Sequence, residues 1–179
     1  MKISKVERLI LANQFQLLSM EENNYISQET AENYSKILLE GYELLYDDIF
    51  SGMDEVVIPE KCRFVLDVLN MYRTISNSYL EISKERSFTL TKEDIAFRGF
   101  DGNNETEEYS FLKFFIEDYG RFDDLEENEY MEFNSHWPSI SRYEEELDKY
   151  NKIIDSKKEK DKFNYLHLNE DEIKSILDL

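Results

Sequence analysis

The chain has 179 residues, 41% hydrophobic and 14% aromatic, which is enough for one good core, or one domain with an appended subdomain, and too apolar for a disordered chain. Forty acidic residues against 21 basic ones give a formal charge of −19, a surface that repels phosphate backbones and anionic membranes. Five glycines and two prolines are too few for the tight turns of an all-β fold, and no apolar run approaches the roughly 18 residues of a membrane span.

Direct nucleic-acid binding and membrane association are therefore not expected. The acidity serves solubility, or docks the chain onto a basic nucleic-acid-binding protein by mimicry. The opening "MKISKVERLIL" has basic residues but no long apolar stretch or small-residue cleavage site, so no signal peptide is read. A single cysteine, Cys62, cannot form an internal disulfide and fits a reducing cytoplasm.

In chain order, residues 3–20 predict a first helix. Ile3, Val6, Ile10, Asn13, Leu17 and Met20 recur at spacings of three and four, a heptad seam with Asn13 near its centre. Leu9, Leu11, Gln14 and Leu18 widen the stripe to half the circumference, so the helix must be covered by its own chain or by a second copy. A second helix starts at Ser27 and runs through "ENYSKILLEGYELLY", with Tyr34, Leu38, Tyr42 and Leu45 on one face. A loop, "DDIFSGMDEVVI", follows. Pro59 suits the first turn of a third, long helix that carries Cys62, Val65, Leu66, Leu69, Tyr72, Ile75 and Tyr79.

Two later helix starts share one signature. "LTKEDI" and "LNEDEI" place Thr91 or Asn169 as N-cap, Asp94 or Glu172 three residues on, and an apolar pair to close a staple. Between them Asn103 or Asn104 reads as the cap of a helix with Glu105, Glu107 and Glu108 at its positive end and Phe111, Leu112, Phe114, Phe115, Ile116 and Tyr119 on most sides. Gly120 is its C-terminal cap. Residues 123–132 read as a solvated acidic loop. The next helix carries Ile140, Tyr143, Leu147, Tyr150 and Ile154, and 155–163, "DSKKEKDKF", reads as a charged linker before a short capped helix.

No motif for chemistry stands out. His136 and His167 are isolated, with no paired histidines, no Cys/His cluster and no nucleophile elbow. "DGNNETEEYSFL" begins like a calcium loop but has Thr106 where glycine is needed and Leu112 where the bidentate glutamate is needed. "FRGFDG" lacks the spacing and lysine of a phosphate loop. Carboxylate pairs such as Asp47 with Asp48 are expected by chance among forty acids. No cofactor and no metal site are assigned, and Cys62 reads as a small buried hydrophobe. For Asn13 and Gln14 three readings stand: they fix the register of a helix pair, they hold a ligand or loop, or they sit half-solvated at the stripe's edge.

"ERLILANQF" (7–15), "GYELLY" (41–46), "CRFVLDVLNMYR" (62–73), "FRGFDGNNETEEYSFLKFFIEDYGRF" (97–122), "FNSHWPSISRYEEELDKY" (133–150) and "YLHLNEDEI" (165–173) together resemble the YfbU family, over nearly the whole chain. The resemblance implies an all-α, cytosolic, bacterial protein forming one unit over 1–179. It implies a helical hairpin part, with long helices around 3–20 and 59–84 or 139–155, and a compact part over about 88–135. It brings no reaction and no catalytic residues to transfer. "DSKKEKDKF" is longer than the family pattern and the acidic loops are richer, which points to partner surfaces particular to this member.

Two functional expectations follow. The first is a non-enzymatic interaction or regulatory module, a homodimer whose contacts are the 3–20 helix and the Phe111–Tyr119 helix, with Asn13 and Gln14 setting alignment. The second is an enzyme or small-ligand-binding protein with a cleft of Arg8, Asn13, Gln14, Tyr72, Arg98, Asp101 and Arg121, since arginines are scarce enough here that several in these blocks suit an anionic ligand.

Overall fold

The structure is a computed structural model that describes residues 2–21, 25–53, 56–84 and 88–179. It is all-α: among the described residues there are eight α-helices and no strand beyond a single bridge between Phe100 and Asn134. The chain divides into two compact units, Met1–Val56 and Val57–Leu179.

The first unit is a hairpin of α1 (Lys5–Leu18) and α2 (Gln28–Glu40) closed by the short α3 (Tyr46–Phe50). Ser4 and Glu7 form a reciprocal capping box at the start of α1, and Ser27 caps α2. The expected second helix through "GYELLY" breaks at Gly41, which takes φ +76°. A Cβ there would lie 2.1 Å from Nη1 of Arg8, which donates to the Leu38 carbonyl at 3.3 Å and places its charge at the negative end of α2. Tyr42 and Leu45 thus leave the helical face, and part of the expected 47–58 loop is α3 instead, because Tyr46 and Ile49 pack on the hairpin. Residues 54–55 of that loop lie outside the described residues. The core of this unit is small: Ala12, Leu38 and Tyr46, with Ile3, Leu11, Phe15, Ile37 and Ile49 against them.

The hairpin partner of α1 within its own unit is therefore α2. Both long helices expected to pair with it, α4 (Pro59–Ile82) and α7 (Ile140–Lys160), belong to the second unit together with 88–135, so the division falls at 56/57.

In the second unit α4 buries Val65, Val68, Leu69, Met71, Tyr72 and Ile75, and α7 and α8 (Glu170–Leu177) pack along it. α5 (Thr106–Lys113) runs into a wider π-turn at Phe114–Asp118, which ends at Gly120 with φ +64°. Leu112 and Ile116 of this stretch are buried, while Phe114 and Tyr119 are exposed.

Several local expectations need correction. Thr91 and Asp94 do exchange hydrogen bonds, but only one turn forms, since Phe97 and Phe100 are drawn into the core and Gly99 turns left-handed. Neither Asn103 nor Asn104 caps α5; both donate to Asp101 in the preceding turn. The acidic stretch after Gly120 contains α6 (Asp123–Glu126), held by buried Leu125 and by Asp124 on Arg73. Most of the "charged linker" is the end of α7, where Lys157, Lys158 and Lys160 suit the helix dipole. Asn169 and Glu172 form the expected box.

Three of the blocks that carry the family resemblance, 62–73, 97–122 and 133–150, meet in one aromatic hub. Phe97, Phe100, Tyr72 and Tyr143 touch edge-on or stacked at 5.2–6.0 Å, and Tyr143 donates to the Gly99 carbonyl at 2.9 Å. Glu105 is buried beside them. One of its oxygens accepts from the backbone N–H of Ser139 (2.6 Å) and Ile140 (2.8 Å), the other from Asp101 N–H (2.9 Å). A side chain in front of α5 therefore caps α7.

Candidate functional site

α1 leaves a row of apolar side chains exposed. Ala12 and Ser19 are buried and Leu11, Phe15 and Leu18 half-buried toward α2, with Phe15 edge-on to Tyr34 at 5.3 Å. The opposite side is open. Val6 (68%), Leu9 (54%), Ile10 (54%), Leu17 (59%) and Met20 (69%) are all mostly exposed, and they flank Asn13. The broad stripe read from the sequence is thus divided: Leu11 and Leu18, which widen it, are half-buried, and Val6, Ile10, Asn13, Leu17 and Met20 of the seam face solvent. Burying the five apolar side chains Val6, Leu9, Ile10, Leu17 and Met20 would remove surface worth roughly 1 kcal/mol or more each. Asn13 and Gln14 are exposed, and neither side chain has a hydrogen-bond partner among the described residues. They do not set the register of α1 on α2.

Charge along this face is polar. Lys2 and Lys5 stand at its N-terminal end, and Glu21 closes the other end. Alongside lies a cleft of about 370 Å³ lined by Ile3, Ile10, Leu11 and Phe50 with Lys2 and Glu7 at its rim.

The other sequence-predicted residues have defined places. Arg8 anchors α2 as described. Tyr72 is buried and donates to Glu146 at 2.9 Å. Burial raises the Glu146 carboxyl above its ordinary value, against the Tyr72 hydrogen bond and the Arg142 charge. Asp101 holds the 101–104 turn, and hydrogen bonds from Asn104 and Asn103 lower its carboxyl. Arg98 donates to the carbonyls of Tyr130 (3.1 Å) and Glu93 (3.3 Å), tying two loops together. Arg121 lies on the surface over the Tyr119 ring. Within the second unit Tyr72, Asp101 and Arg121 are engaged at separate places, and Arg98 lines a cleft. His167 pairs with Glu81 at 2.8 Å, and His136 sits on an exposed turn.

The YfbU domain profile matches residues 1–179. The chain belongs to the YfbU family. Among curated relatives it is similar to the UPF0304 protein MJECS11 of Methanocaldococcus jannaschii, at 36% identity over 163 residues, covering 88% of this chain and 95% of the relative. The YfbU match spans both units, so the hairpin and the aromatic hub belong to one family pattern. Among the described residues no helix is long and apolar enough to cross a membrane, and no group of three or more His, Cys, Asp or Glu is placed to hold a metal ion.

Sequence reasoning missed Arg142 and Trp137. Both lie in the quoted block 133–150, but nothing in the local pattern tells that they share a cleft with Arg98.

Proposed function

We propose that this YfbU protein is a helical interaction module that pairs with a second copy of itself through the outward face of α1, the two helices antiparallel. The observation that supports this most is the exposed seam of Val6, Ile10, Leu17 and Met20 on a helix whose other side is already satisfied by α2. The choice of a second copy follows from charge. Antiparallel pairing sets Lys2 and Lys5 of each copy over Glu21 of the other, whereas parallel pairing superposes like charges. It also brings the two Asn13 side chains together near the two-fold axis, where a carboxamide can both donate to and accept from its own equivalent. Asparagine at that position trades stability for a single alignment.

With Leu9 each copy offers five exposed apolar side chains, ten in all, which contribute about 10 kcal/mol gross against an association cost of about 4–15 kcal/mol, so a weak dimer, about 40 µM at its tightest, is expected. Sedimentation equilibrium from about 5 to 500 µM should show it. The double variant Ile10→Glu/Leu17→Glu should remain a monomer with unchanged helicity. A wild-type chain that stays monomeric throughout, or a double variant that pairs as well as wild type, defeats the proposal.

A further inference from the structure

Trp137 is the chain's single tryptophan, and it is 77% exposed on a loop that is firmly built. Asn134 Oδ1 accepts from the N–H of Gly102 (3.2 Å) and of His136 (3.0 Å). The Trp137 carbonyl accepts from the hydroxyls of Ser135 (2.6 Å) and Ser139 (3.0 Å). His136 takes φ +58°, a conformation strained for a residue with a Cβ. The loop's own base is tied to Phe100 through two backbone hydrogen bonds. So much local bracing, ending in a large aromatic ring held in water, is the signature of a contact made with something else.

Beside the ring lies a cleft of about 330 Å³, lined by Arg98, Glu132, Ser135, Trp137, Ser139 and Arg142. Its two arginines differ. Arg98 is engaged with two carbonyls and lies 3.8 Å from Glu132 and 3.6 Å from Glu93. Arg142 is half-exposed, stacked 4.6 Å over the Tyr143 ring, and forms a long ion pair from Nε to Glu146 at 3.6 Å. The Glu146 oxygen that does bond is committed to Tyr72. Arg142 therefore brings to the cleft of the exposed indole a guanidinium whose one ion pair is long and made through Nε, in a cleft at the small end of ligand-site volumes.

We propose that this cleft binds a phosphorylated planar ring of the size of a free nucleoside monophosphate, the ring stacked on Trp137 and the phosphate held by Arg142. Stacking on an indole suits any flat heterocycle, and a guanidinium fork suits a phosphate. A charge of −19 disfavours a long polyanion but tolerates one phosphate next to a local cation. Glu132 is the opposing charge in the cleft and tunes affinity downward.

Because Trp137 is unique, intrinsic tryptophan fluorescence of the full chain reads this cleft alone. Titration with adenosine 5′-monophosphate should give saturable quenching with half-saturation below about 1 mM, while adenosine and inorganic phosphate should each bind at least about tenfold more weakly. Arg142→Gln should weaken the monophosphate about tenfold or more, Arg142→Lys less, and Glu132→Gln should tighten it by about two- to fivefold. The lysine variant keeps the test sharp if the glutamine one misfolds. No saturation up to about 10 mM, equal quenching by adenosine, or full affinity in both Arg142 variants overturns the proposal. Tighter binding of a 5′-phosphorylated oligonucleotide than of the monophosphate overturns the assignment to a free nucleotide.

Discussion

Removing the Glu105 carboxylate should cost more than any surface substitution, and the amount can be worked from its three contacts. The group is buried and accepts from the N–H of Asp101, Ser139 and Ile140 at 2.6–2.9 Å. Two of those donors begin α7, a helix of 21 residues whose cap residue Ser139 makes no side-chain capping bond of its own. Glu105→Ala leaves three donors with no partner in a site closed to water, at about 1–3 kcal/mol each. It also strips a negative charge from the positive end of α7, worth about 0.3–1 kcal/mol more. Since the three bonds share one carboxylate the losses do not add fully, and about 3–5 kcal/mol is expected for the whole. Glu105→Gln should lose about half of that: its carbonyl can still accept from Ser139 and Ile140, but its NH2 then meets the N–H of Asp101. Urea unfolding followed by circular dichroism measures both. In a domain of this size about 4 kcal/mol lowers the melting temperature by roughly 8–16 °C. If Glu105→Ala lies within about 1 kcal/mol of wild type, the carboxylate does not hold α7 and the reasoning fails.

Two further outcomes follow from the same hub. Gly99→Ala should cost at least about 3 kcal/mol or prevent folding, because φ is +73° and the new Cβ would lie 2.0 Å from the Phe133 carbonyl oxygen, a backbone atom that cannot step aside; a soluble variant with wild-type urea midpoint refutes the close approach. Glu146→Gln should gain stability relative to wild type as pH rises. Burial holds the folded-state carboxyl above its unfolded value, so the folded protein binds that proton more tightly. The stability this gives is fully present below the unfolded pKa and is lost as pH climbs through the folded one, whereas glutamine has nothing to lose. Urea midpoints at pH 4 and pH 7.5 test it, and a variant whose advantage shrinks at the higher pH contradicts the sign.

Helical content was legible in the sequence because apolar spacing and capping chemistry act over a few residues. The long α4 with Pro59 in its first turn, the α8 box of Asn169 and Glu172, and the turn at Gly120 all rest on neighbours in the chain. Where a distant group intervened, local signals were insufficient. Thr91 and Asp94 formed their box, yet the burial of Phe97 and Phe100 stopped the helix after one turn. Gly41 ended α2 early with the Arg8 guanidinium filling the space a side chain would need.

The candidate site shows the same split. The stripe on α1 and the central place of Asn13 are properties of spacing alone, and so was the inference that a broad apolar helix needs cover. Which half of that stripe meets α2 and which is left open depends on how the hairpin packs, since leucines at positions 11 and 17 look alike in a periodic pattern. Arg98, Asp101 and Tyr72 stood out as polar residues in recognisable blocks. Only the tertiary structure shows Asp101 consumed by a turn, Tyr72 buried on Glu146, and Arg98 sharing a cleft with Arg142 and Trp137 some forty residues on. Periodicity and caps are written in short-range sterics and hydrogen bonding, so the sequence alone determines them. The partners of a side chain are set by which surfaces bury against each other, and that is decided only when the chain closes on itself.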